Sequence, residues 1–318
     1  MNDVTPVRAR KRRSFLSRHP RLKVIVYSAY GALFVPLVML TLPVYLVPRR
    51  VVYAVAQRVA WWVVAPCVRK KIEMNARYAY GERMTARRLR ALVLKVSANV
   101  VWSAVDCYYL WVWWWRWNAR GVVTRVENME EVYAAVRRGG GQFMVTAHYQ
   151  CFEIMPAYLA HTMTIQGGVV ARKFPSPVLN WLNRRARLLH GVPTFYDQMR
   201  DVMRTLRHNG VIGFLPDLHA RKRLGVAATF YGKPTLTLDV HVRVAGQMGC
   251  PIIPAFLMRQ KARPWEYTLL IYDAVWVPKK PDAAQVAAYV QAVNDVFEGH
   301  IRRYPSGWVW FHNKWGLW

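Results

Sequence analysis

Residues 139–153 read GGGQFMVTAHYQCFE, a glycine-rich turn, an apolar run and a histidine in immediate succession. The glycines Gly139 to Gly141 predict a turn, and Phe143 to Ala147 predicts a β-strand that ends just before His148. Reactive groups of α/β folds commonly lie in the loops at the carboxyl ends of strands. The stretch therefore predicts a strand of an α/β domain, with His148 in the loop at its carboxyl end.

His148 and Glu153 form an H-x4-E pair across this predicted strand-to-helix turn. Their spacing lets the carboxylate fold back onto one imidazole nitrogen, while the other nitrogen accepts a proton from an alcohol. The alternative is a structural histidine, with Glu153 in the first turn of a helix. With 9 histidines and 17 acidic residues in the chain, such a pair also arises by chance. The surrounding sequence therefore has to decide between the catalytic and the structural interpretation.

Short β-branched runs alternate with helical patterns on both sides of this stretch, from residue 121 to residue 318. The predicted strands are Val122 to Val126, Phe143 to Ala147, Gly168 to Ala171, Val211 to Leu215, Ile252 to Met258 and Tyr267 to Val275. The predicted helices are Met129 to Arg138, Pro177 to Leu189, Met199 to His208, Leu238 to Met248 and Asp282 to Arg303. The alternation predicts an α/β domain over residues 121–318, with a central mixed β-sheet flanked by helices.

The N-terminal part has a different composition. Residues 1–23 form a basic tail, and the stretch from Val24 to Val47 contains no charged residue, which is long enough to cross a hydrocarbon core of about 30 Å as a helix. Pro36 and Pro43 interrupt this stretch, and positive charge lies on both sides, so spanning and monotopic insertion are both compatible with it. We interpret it as a retained membrane anchor, with a buried core helix as the alternative.

Further helical patterns fill the rest of residues 24–120, which we assign to membrane-anchoring and interfacial helices. Val51 to Val68 is apolar, and Thr85 begins a basic amphipathic stretch. The segment then becomes rich in tryptophan, at Trp102, Trp111, Trp113, Trp114, Trp115 and Trp117. Such a cluster is typical either of an interfacial aromatic belt or of an aromatic core.

The composition combines charge with hydrophobicity: the formal charge is +29, 54% of residues are hydrophobic and 15 are tryptophan. A nucleic-acid-binding protein would share the charge, but an anionic membrane surface favours both the basic residues and the tryptophans. The 4 cysteines are scattered without a CxxC pair, so the sequence indicates neither a zinc site nor a disulfide framework. We therefore favour a membrane protein and keep a basic nucleic-acid-binding or membrane-surface-binding protein without catalysis as the alternative.

Several blocks after His148 resemble, in order and spacing, the bacterial lipid A lauroyl/myristoyl acyltransferase family, within the lysophospholipid acyltransferase superfamily. These blocks are ARKFPSPVLN (residues 171–180), GFLPD (213–217), FYGKP (230–234), GCPIIPAF (249–256) and YPSGWVWFH (304–312). The basic RKKI at residues 69–72 and Asn75 also resemble a family element after the anchor. The resemblance covers residues 24–318.

The resemblance implies a glycerolipid-acyltransferase-like fold and transfer of a fatty acyl chain from a thioester to a hydroxyl of a lipid A precursor, a related glycolipid or a phospholipid. His148 would be the general base and Glu153 its orienting partner. The donor would be a thioester of acyl carrier protein or of coenzyme A, used as a co-substrate, with no metal or other cofactor. The protein would lie in the inner membrane, with membrane lipids and the acyl carrier as partners, no nucleic acid, and its active site facing the cytoplasm.

The resemblance also implies substrate-binding residues. Arg172 would bind a phosphate or the developing oxyanion, and Asp217 matches the acid of the family's Pro-Asp element, with a turn cap as its alternative. Phe230, Gly232 and Pro234 would shape a wall of the acyl or acceptor site. On the predicted helix after Pro177, Arg184, Arg185 and Arg187 would meet anionic headgroups, or form a solvated basic face.

Two departures from the family pattern bear on the substrate. The spacer between His148 and Glu153 lacks the family's usual glycine, and His219 stands where a second acid or amide often follows Asp217. These departures leave the acceptor open among lipid A precursors, phospholipids and other glycolipids.

Two rival functions are weaker. A hydrolase would use Cys151 or a serine, but the chain has no G-x-S-x-G elbow and Cys151 lies only three residues from His148. A purely structural membrane protein would leave the ordered blocks unexplained.

Overall fold

The computed structural model of the chain describes residues 20–22, 24–29, 32, 41–112, 114, 118–163, 166–221 and 223–318. Most of the basic tail and the middle of the uncharged stretch, with Pro36, lie outside the described residues, as do Trp113, Trp115 and Trp117. Predictions about these positions stay predictions.

Helices make up most of the N-terminal third and alternate with strands after it. From residue 49 onward, the described helices are α1 (Arg49–Val59), α2 (Ala65–Tyr80), α3 (Ala86–Val112), α4 (Ala119–Val122), α5 (Met129–Arg138), α6 (Ile154–Thr162), α7 (Pro177–Leu188), α8 (Met199–Arg207), α9 (Val240–Met248) and α10 (Ala283–Arg303). A π-helical turn, Ala60–Val64, joins α1 to α2. Short 3-10 helices lie at Leu42–Leu46, Gly81–Arg83 and Pro305–Gly307.

A mixed sheet of eight strands forms the centre of the molecule. The described strands are β1 (Val123–Glu127), β2 (Gln142–Val145), β3 (Gly167–Val170), β4 (Thr194–Phe195), β5 (Val211–Phe214), β6 (Gly225–Phe230), β7 (Lys233–Leu238), β8 (Pro251–Arg259), β9 (Tyr267–Ile271) and β10 (Val275–Trp276). The sheet has the order β1-β9-β8-β2-β5-β3-β4, with β10 also paired to β8, while β6 and β7 form a separate hairpin. Only β9 and β10 run antiparallel to β8, and the other described pairs of this sheet are parallel.

Helices cover both faces of this sheet because its inner strands are apolar on both sides. Phe143 and Val145 of β2 belong to one buried cluster, which includes side chains of α8, α9 and α10. Met144, between them, belongs to a second cluster on the opposite face, with side chains of α5 and α6. The mixed, helix-flanked α/β sheet expected from the sequence is thus confirmed.

The N-terminal helices share the core of the sheet. Ile72 of α2 and Leu89 and Val93 of α3 lie in the same buried cluster as Phe143. Two helical stretches, Arg49–Arg83 and Ala86–Val112, are long and apolar enough to cross a membrane by length and composition alone. The assignment of residues 24–120 to a separate anchoring unit stays a prediction.

A buried ion pair joins the C-terminal half of α3 to the sheet. Arg259 of β8 lies 2.6 Å from the carboxylate of Asp106, measured from Nη2 to Oδ2, and Tyr267 donates a hydrogen bond of 2.6 Å to the same oxygen. Burying a charge costs free energy unless an opposite charge and hydrogen bonds compensate it. The arrangement therefore fixes this half of α3 against the sheet.

Two tryptophans of the tryptophan-rich segment differ in exposure. Trp102 donates its indole N–H to the carbonyl oxygen of Tyr53 at 3.0 Å, whereas Trp114 is exposed. Trp102 is partly buried, so these positions do not decide between an interfacial belt and an aromatic core, and both interpretations stay predictions.

Most predicted strands and helices of residues 121–318 agree with the structure to within one or two residues at each end. The expected strand Tyr267 to Val275 is divided into β9 and β10. The β6–β7 hairpin and β4 were not predicted, and the helix expected after the turn at Glu153, which was given no bounds, is α6. The hairpin turn is Tyr231-Gly232, with φ of 56° and 66°, and a tyrosine at positive φ is an uncommon turn residue.

Candidate active site

Parallel strand pairing brings His148 and Asp217 together. Strands β2 and β5 are parallel neighbours, and Val145 is in register with Phe214. His148 follows Val145 by three residues, and Asp217 follows Phe214 by three. Because parallel strands end at the same edge of a sheet, these offsets place both side chains at one point. Nδ1 of His148 lies 2.8 Å from Oδ1 of Asp217.

The carboxylate of Asp217 is completely buried and accepts further hydrogen bonds. The backbone N–H of His148 donates to Oδ2 at 2.9 Å, and the indole N–H of Trp308 donates to the same oxygen at 3.0 Å. Burial alone would raise the pKa of Asp217, but the charge of His148 and these hydrogen bonds lower it to about 2. Asp217 is therefore a fixed negative charge beside the imidazole.

This carboxylate controls the protonation of His148. Burial alone would lower the pKa of His148, but the charge and the hydrogen bond of Asp217 raise it above the usual value. Since Nδ1 faces Asp217, Nε2 is the nitrogen left to accept a proton from a substrate. The ring stands between Phe152 and His312, with centroids 5.2 Å and 5.5 Å away.

The loop after His148 is held by the C-terminal segment. Tyr149 forms a bridge with Trp308, and its hydroxyl donates to the carbonyl oxygen of Tyr304 at 2.9 Å. A Cβ on Gly307 would lie 2.1 Å from the Tyr149 ring, so only glycine allows this approach. The C-terminal segment thereby fixes the backbone that presents His148.

Glu153 does not make the hydrogen bond to His148 that the sequence led us to expect. It precedes α6 and turns toward α7, where its Oε2 accepts from Nε of Arg187 at 2.9 Å and its Oε1 contacts Nη2. Each of these two side chains is only 11% exposed. This is a correction to the predicted geometry: the carboxylate hydrogen-bonded to Nδ1 is that of Asp217, which the register of β2 and β5 brings there, whereas Glu153 pairs with Arg187.

An apolar cavity of about 570 Å³ lies beside the His148–Asp217 pair, between α6 and the strands β2, β3 and β5. It reaches Thr146 and Leu215, each two residues before a member of the pair. Its walls are otherwise mainly apolar, including Met144, Phe152, Met155, Leu159, Met163, Val169, Val192 and Val211. Glu153 and Arg187 form a charged part of the wall. His148 and Asp217 do not line the cavity themselves, but Phe152 of its wall lies with its ring 5.2 Å from that of His148. The cavity is therefore a candidate site for a hydrocarbon chain near His148.

The other predicted site residues divide into two groups. Arg172 is exposed and follows β3, whose carboxyl end lies at the same edge of the sheet as His148, while Arg184 and Arg185 are exposed on α7. Neither these three arginines nor the second group lines the cavity. Gly232 and Pro234 are exposed at the β6–β7 hairpin, and Phe230 is buried with its ring 5.6 Å from that of Trp308.

Phe230, Gly232 and Pro234 therefore do not shape the wall of this cavity, and their place at an acyl or acceptor site stays a prediction. They lie away from the cavity because FYGKP encodes a hairpin turn, which supports the aromatic packing behind Asp217.

Sequence reasoning assigned no role to three residues around the site, Trp308, His312 and Lys314. Arg187, which was expected to suit anionic headgroups, lies in the ion pair with Glu153. Burial lowers the pKa of Lys314 to about 8, against the opposing charge of Asp217, and its Nζ lies 3.3 Å from Oγ1 of Thr237. Burial, together with the charge of His148, lowers the pKa of His312. The sequence did contain a signal for the His148–Asp217 contact, because each of the two residues closely follows the end of a predicted strand.

The geometry disfavours a cysteine nucleophile. Cys151 is buried, with its sulfur 3.7 Å from that of Cys107, and burial raises the pKa of its thiol well above the usual value. Among the residues that the structure describes, no group of three or more His, Cys, Asp or Glu side chains could hold a metal ion. Acyl transfer without a metal or cofactor stays a prediction.

Comparison with known proteins identifies the family of the chain. No curated protein matches the sequence. The family described as bacterial lipid A biosynthesis acyltransferase matches residues 19–316, which is nearly the whole chain and includes His148, Asp217 and the C-terminal segment that holds them. The chain therefore belongs to the bacterial lipid A biosynthesis acyltransferase family.

Proposed function

We propose that this chain transfers a fatty acyl group from an acyl thioester to a hydroxyl of a lipid A precursor or a related membrane glycolipid or phospholipid. The observation that carries the proposal is the His148–Asp217 pair beside an apolar cavity. A general base next to a hydrocarbon pocket is what acylation of an alcohol needs. The family supports acyl transfer on lipid A as the reaction class.

In the proposed reaction, Nε2 of His148 takes the proton of the acceptor hydroxyl while its oxygen attacks the thioester carbonyl. Asp217 stabilises the imidazolium that forms. Collapse of the tetrahedral intermediate breaks the carbon–sulfur bond, and the departing thiolate takes the proton from His148. Arg172 remains our candidate for holding the oxyanion or a substrate phosphate, since its position after β3 is near the same edge of the sheet.

The test is transfer of radiolabelled acyl chains to total membrane lipid, with thioesters of acyl carrier protein and of coenzyme A as donors and His148→Ala as the blank. A labelled lipid that forms with the wild type and not with the blank supports the proposal and identifies the acceptor and donor. Equal labelling by both proteins, or no labelling with any donor, would contradict it.

The pH dependence follows from the raised pKa of His148. The base works only when Nε2 is unprotonated, so activity is lost as the pH falls through the pKa of the folded protein. We expect kcat/KM to rise along an acid limb whose midpoint lies above 6.5, the ordinary value for histidine. Initial rates between about pH 5 and about pH 9 measure this limb. A midpoint below that value would show that Asp217 does not stabilise the imidazolium.

The cavity should set the preferred chain length. Each buried methylene contributes about 0.8 kcal/mol, a factor of about four in binding. Ala160 of α6 lines the cavity, so Ala160→Leu should shift the preference toward shorter donors. Relative to the wild type, the ratio of kcat/KM for a long donor to one two methylenes shorter should fall by about tenfold.

Ala288→Leu is the matched control, because Ala288 is an exposed residue of helix α10 and does not line the cavity. A series of acyl carrier protein thioesters of increasing length measures the two profiles. Identical profiles for both variants would place the acyl chain elsewhere.

We also propose that the protein lies in the inner membrane with its site facing the cytoplasm, where thioester donors are made. Large apolar side chains, Val51, Val55, Trp62 and Val63, are exposed on α1 and the π-helical turn, opposite the buried Tyr53. Membrane fractions washed with high salt should retain the protein, and detergent should release it. Release by salt alone would favour a surface-bound or nucleic-acid-bound protein.

A further inference from the structure

The outer face of α7 combines exposed apolar and basic side chains. None of the 12 residues of α7 is buried, which is unusual for a helix that borders a cavity. Trp181 is 60% exposed, and Leu188 and Phe174, just before the helix, are about half exposed. Arg184 and Arg185 stand between them in sequence and are exposed as well. Water alone is a poor partner for such a surface.

The opposite side of the same helix belongs to the active-site region. Arg187 points inward from α7 to its ion pair with Glu153, and both side chains line the cavity. The helix thus contributes Arg187 to the cavity wall while its outer face meets the surroundings. Whatever binds the outer face is brought next to the cavity.

The start of α7 lies against the N-terminal apolar segment. Ser176, which caps the helix by accepting from the backbone N–H of Leu179 at 3.2 Å, has its hydroxyl 3.4 Å from that of Ser28. Ser28 belongs to the uncharged stretch that begins at Val24. A membrane that receives this stretch therefore lies close to α7.

Charge favours an anionic partner for this face. Residues 172–190 contain four arginines and one lysine and no acidic residue. Arg187 is engaged by Glu153, and Lys173 lies 3.8 Å from Asp197, so Arg172, Arg184 and Arg185 are the cations best placed for an external partner. Each basic residue near an anionic membrane contributes about 1 kcal/mol, and tryptophan prefers the boundary between water and lipid.

We propose that α7 is an interfacial helix that docks on a bilayer containing anionic phospholipids, with Phe174, Trp181 and Leu188 inserted among the headgroups and Arg184 and Arg185 on the lipid phosphates. The docking holds the cavity wall at the membrane surface, where an amphiphilic acceptor need not leave the lipid. The docking is independent of the proposed acyl transfer, and its test requires no turnover.

The test places an environment-sensitive fluorophore on Trp181→Cys in the full-length protein, with Cys67 and Cys107 replaced by serine. The protein is reconstituted into vesicles of phosphatidylethanolamine and phosphatidylglycerol that contain a nitroxide-labelled lipid. The matched control is Ala288→Cys, an exposed position on α10. We expect a blue-shifted emission and at least threefold stronger nitroxide quenching at position 181 than at position 288.

Two further arms separate the sources of binding. Adding Arg184→Ser and Arg185→Ser should reduce the quenching at position 181 at least twofold in anionic vesicles and leave it unchanged in phosphatidylcholine vesicles. Equal quenching at positions 181 and 288 would overturn the proposal. A change of emission on adding acyl carrier protein, without any response to lipid, would also overturn it and would assign the face to a protein partner.

Discussion

Acyl transfer is expected to fall by a factor of about 10²–10⁴ when either member of the His148–Asp217 pair is removed, as His148→Ala or as Asp217→Asn. Without His148, the imidazole that accepts the proton of the hydroxyl in the proposed reaction is missing. Without the charge of Asp217, the imidazolium loses the partner 2.8 Å from Nδ1 that stabilises it. Single-turnover transfer to lipid, with protein whose folding has been checked, measures both losses.

Because the two residues act as a unit, the double variant should be no worse than the more damaged single variant. Asp217→Asn should also move the acid limb of the pH profile to lower pH, since the pKa of His148 falls when the carboxylate charge is removed. Glu153→Gln is the comparison, because Glu153 is hydrogen-bonded to Arg187. An acid limb moved by Glu153→Gln and not by Asp217→Asn would restore Glu153 as the orienting carboxylate.

Arg187→Met is expected to lower the free energy of unfolding by about 3–5 kcal/mol, because it leaves Glu153 buried without its partner. The two side chains lie between α6 and α7 and are 11% exposed, so water cannot replace the lost contact. Denaturant unfolding in detergent, followed by tryptophan fluorescence, measures the change.

The double variant Glu153→Gln/Arg187→Met should recover most of this loss, since no uncompensated charge remains. The control is Arg69→Met, because Arg69 pairs with Glu73 on an exposed turn of α2 and such surface pairs contribute about 0–1 kcal/mol. If Arg187→Met costs no more than Arg69→Met, the buried pair is not a structural link between the cavity wall and the loop that carries His148.

The local sequence pattern was sufficient to predict most helices and strands of the α/β domain. Met129 to Arg138 was predicted with the bounds of α5, and the strand before His148 agrees with β2 to within two residues. Hydrophobic periodicity and glycine turns are properties of neighbouring residues, so a single sequence reveals them. The sequence blocks between residues 171 and 312 were sufficient to identify the family, and the match over residues 19–316 confirms it.

The hairpin at FYGKP shows where local pattern failed. These residues resembled a family block, and no hairpin was predicted there, but Tyr231 and Gly232 form a tight turn. The turn needs positive φ at a tyrosine, which the surrounding contacts make acceptable: its ring packs at 5.0 Å from Tyr80 and its backbone N–H reaches Glu298. Contacts between distant residues overrode the local preference.

By itself the sequence determined the element types, the family and the presence of His148 at the end of a strand, because each depends on residues close together in the chain. Only the tertiary structure decided which carboxylate faces His148. Asp217 is 69 residues away and reaches Nδ1 through the register of β2 and β5, whereas Glu153, five residues away, is drawn to Arg187. Strand pairing and helix packing set these distances, and spacing along the chain does not encode them.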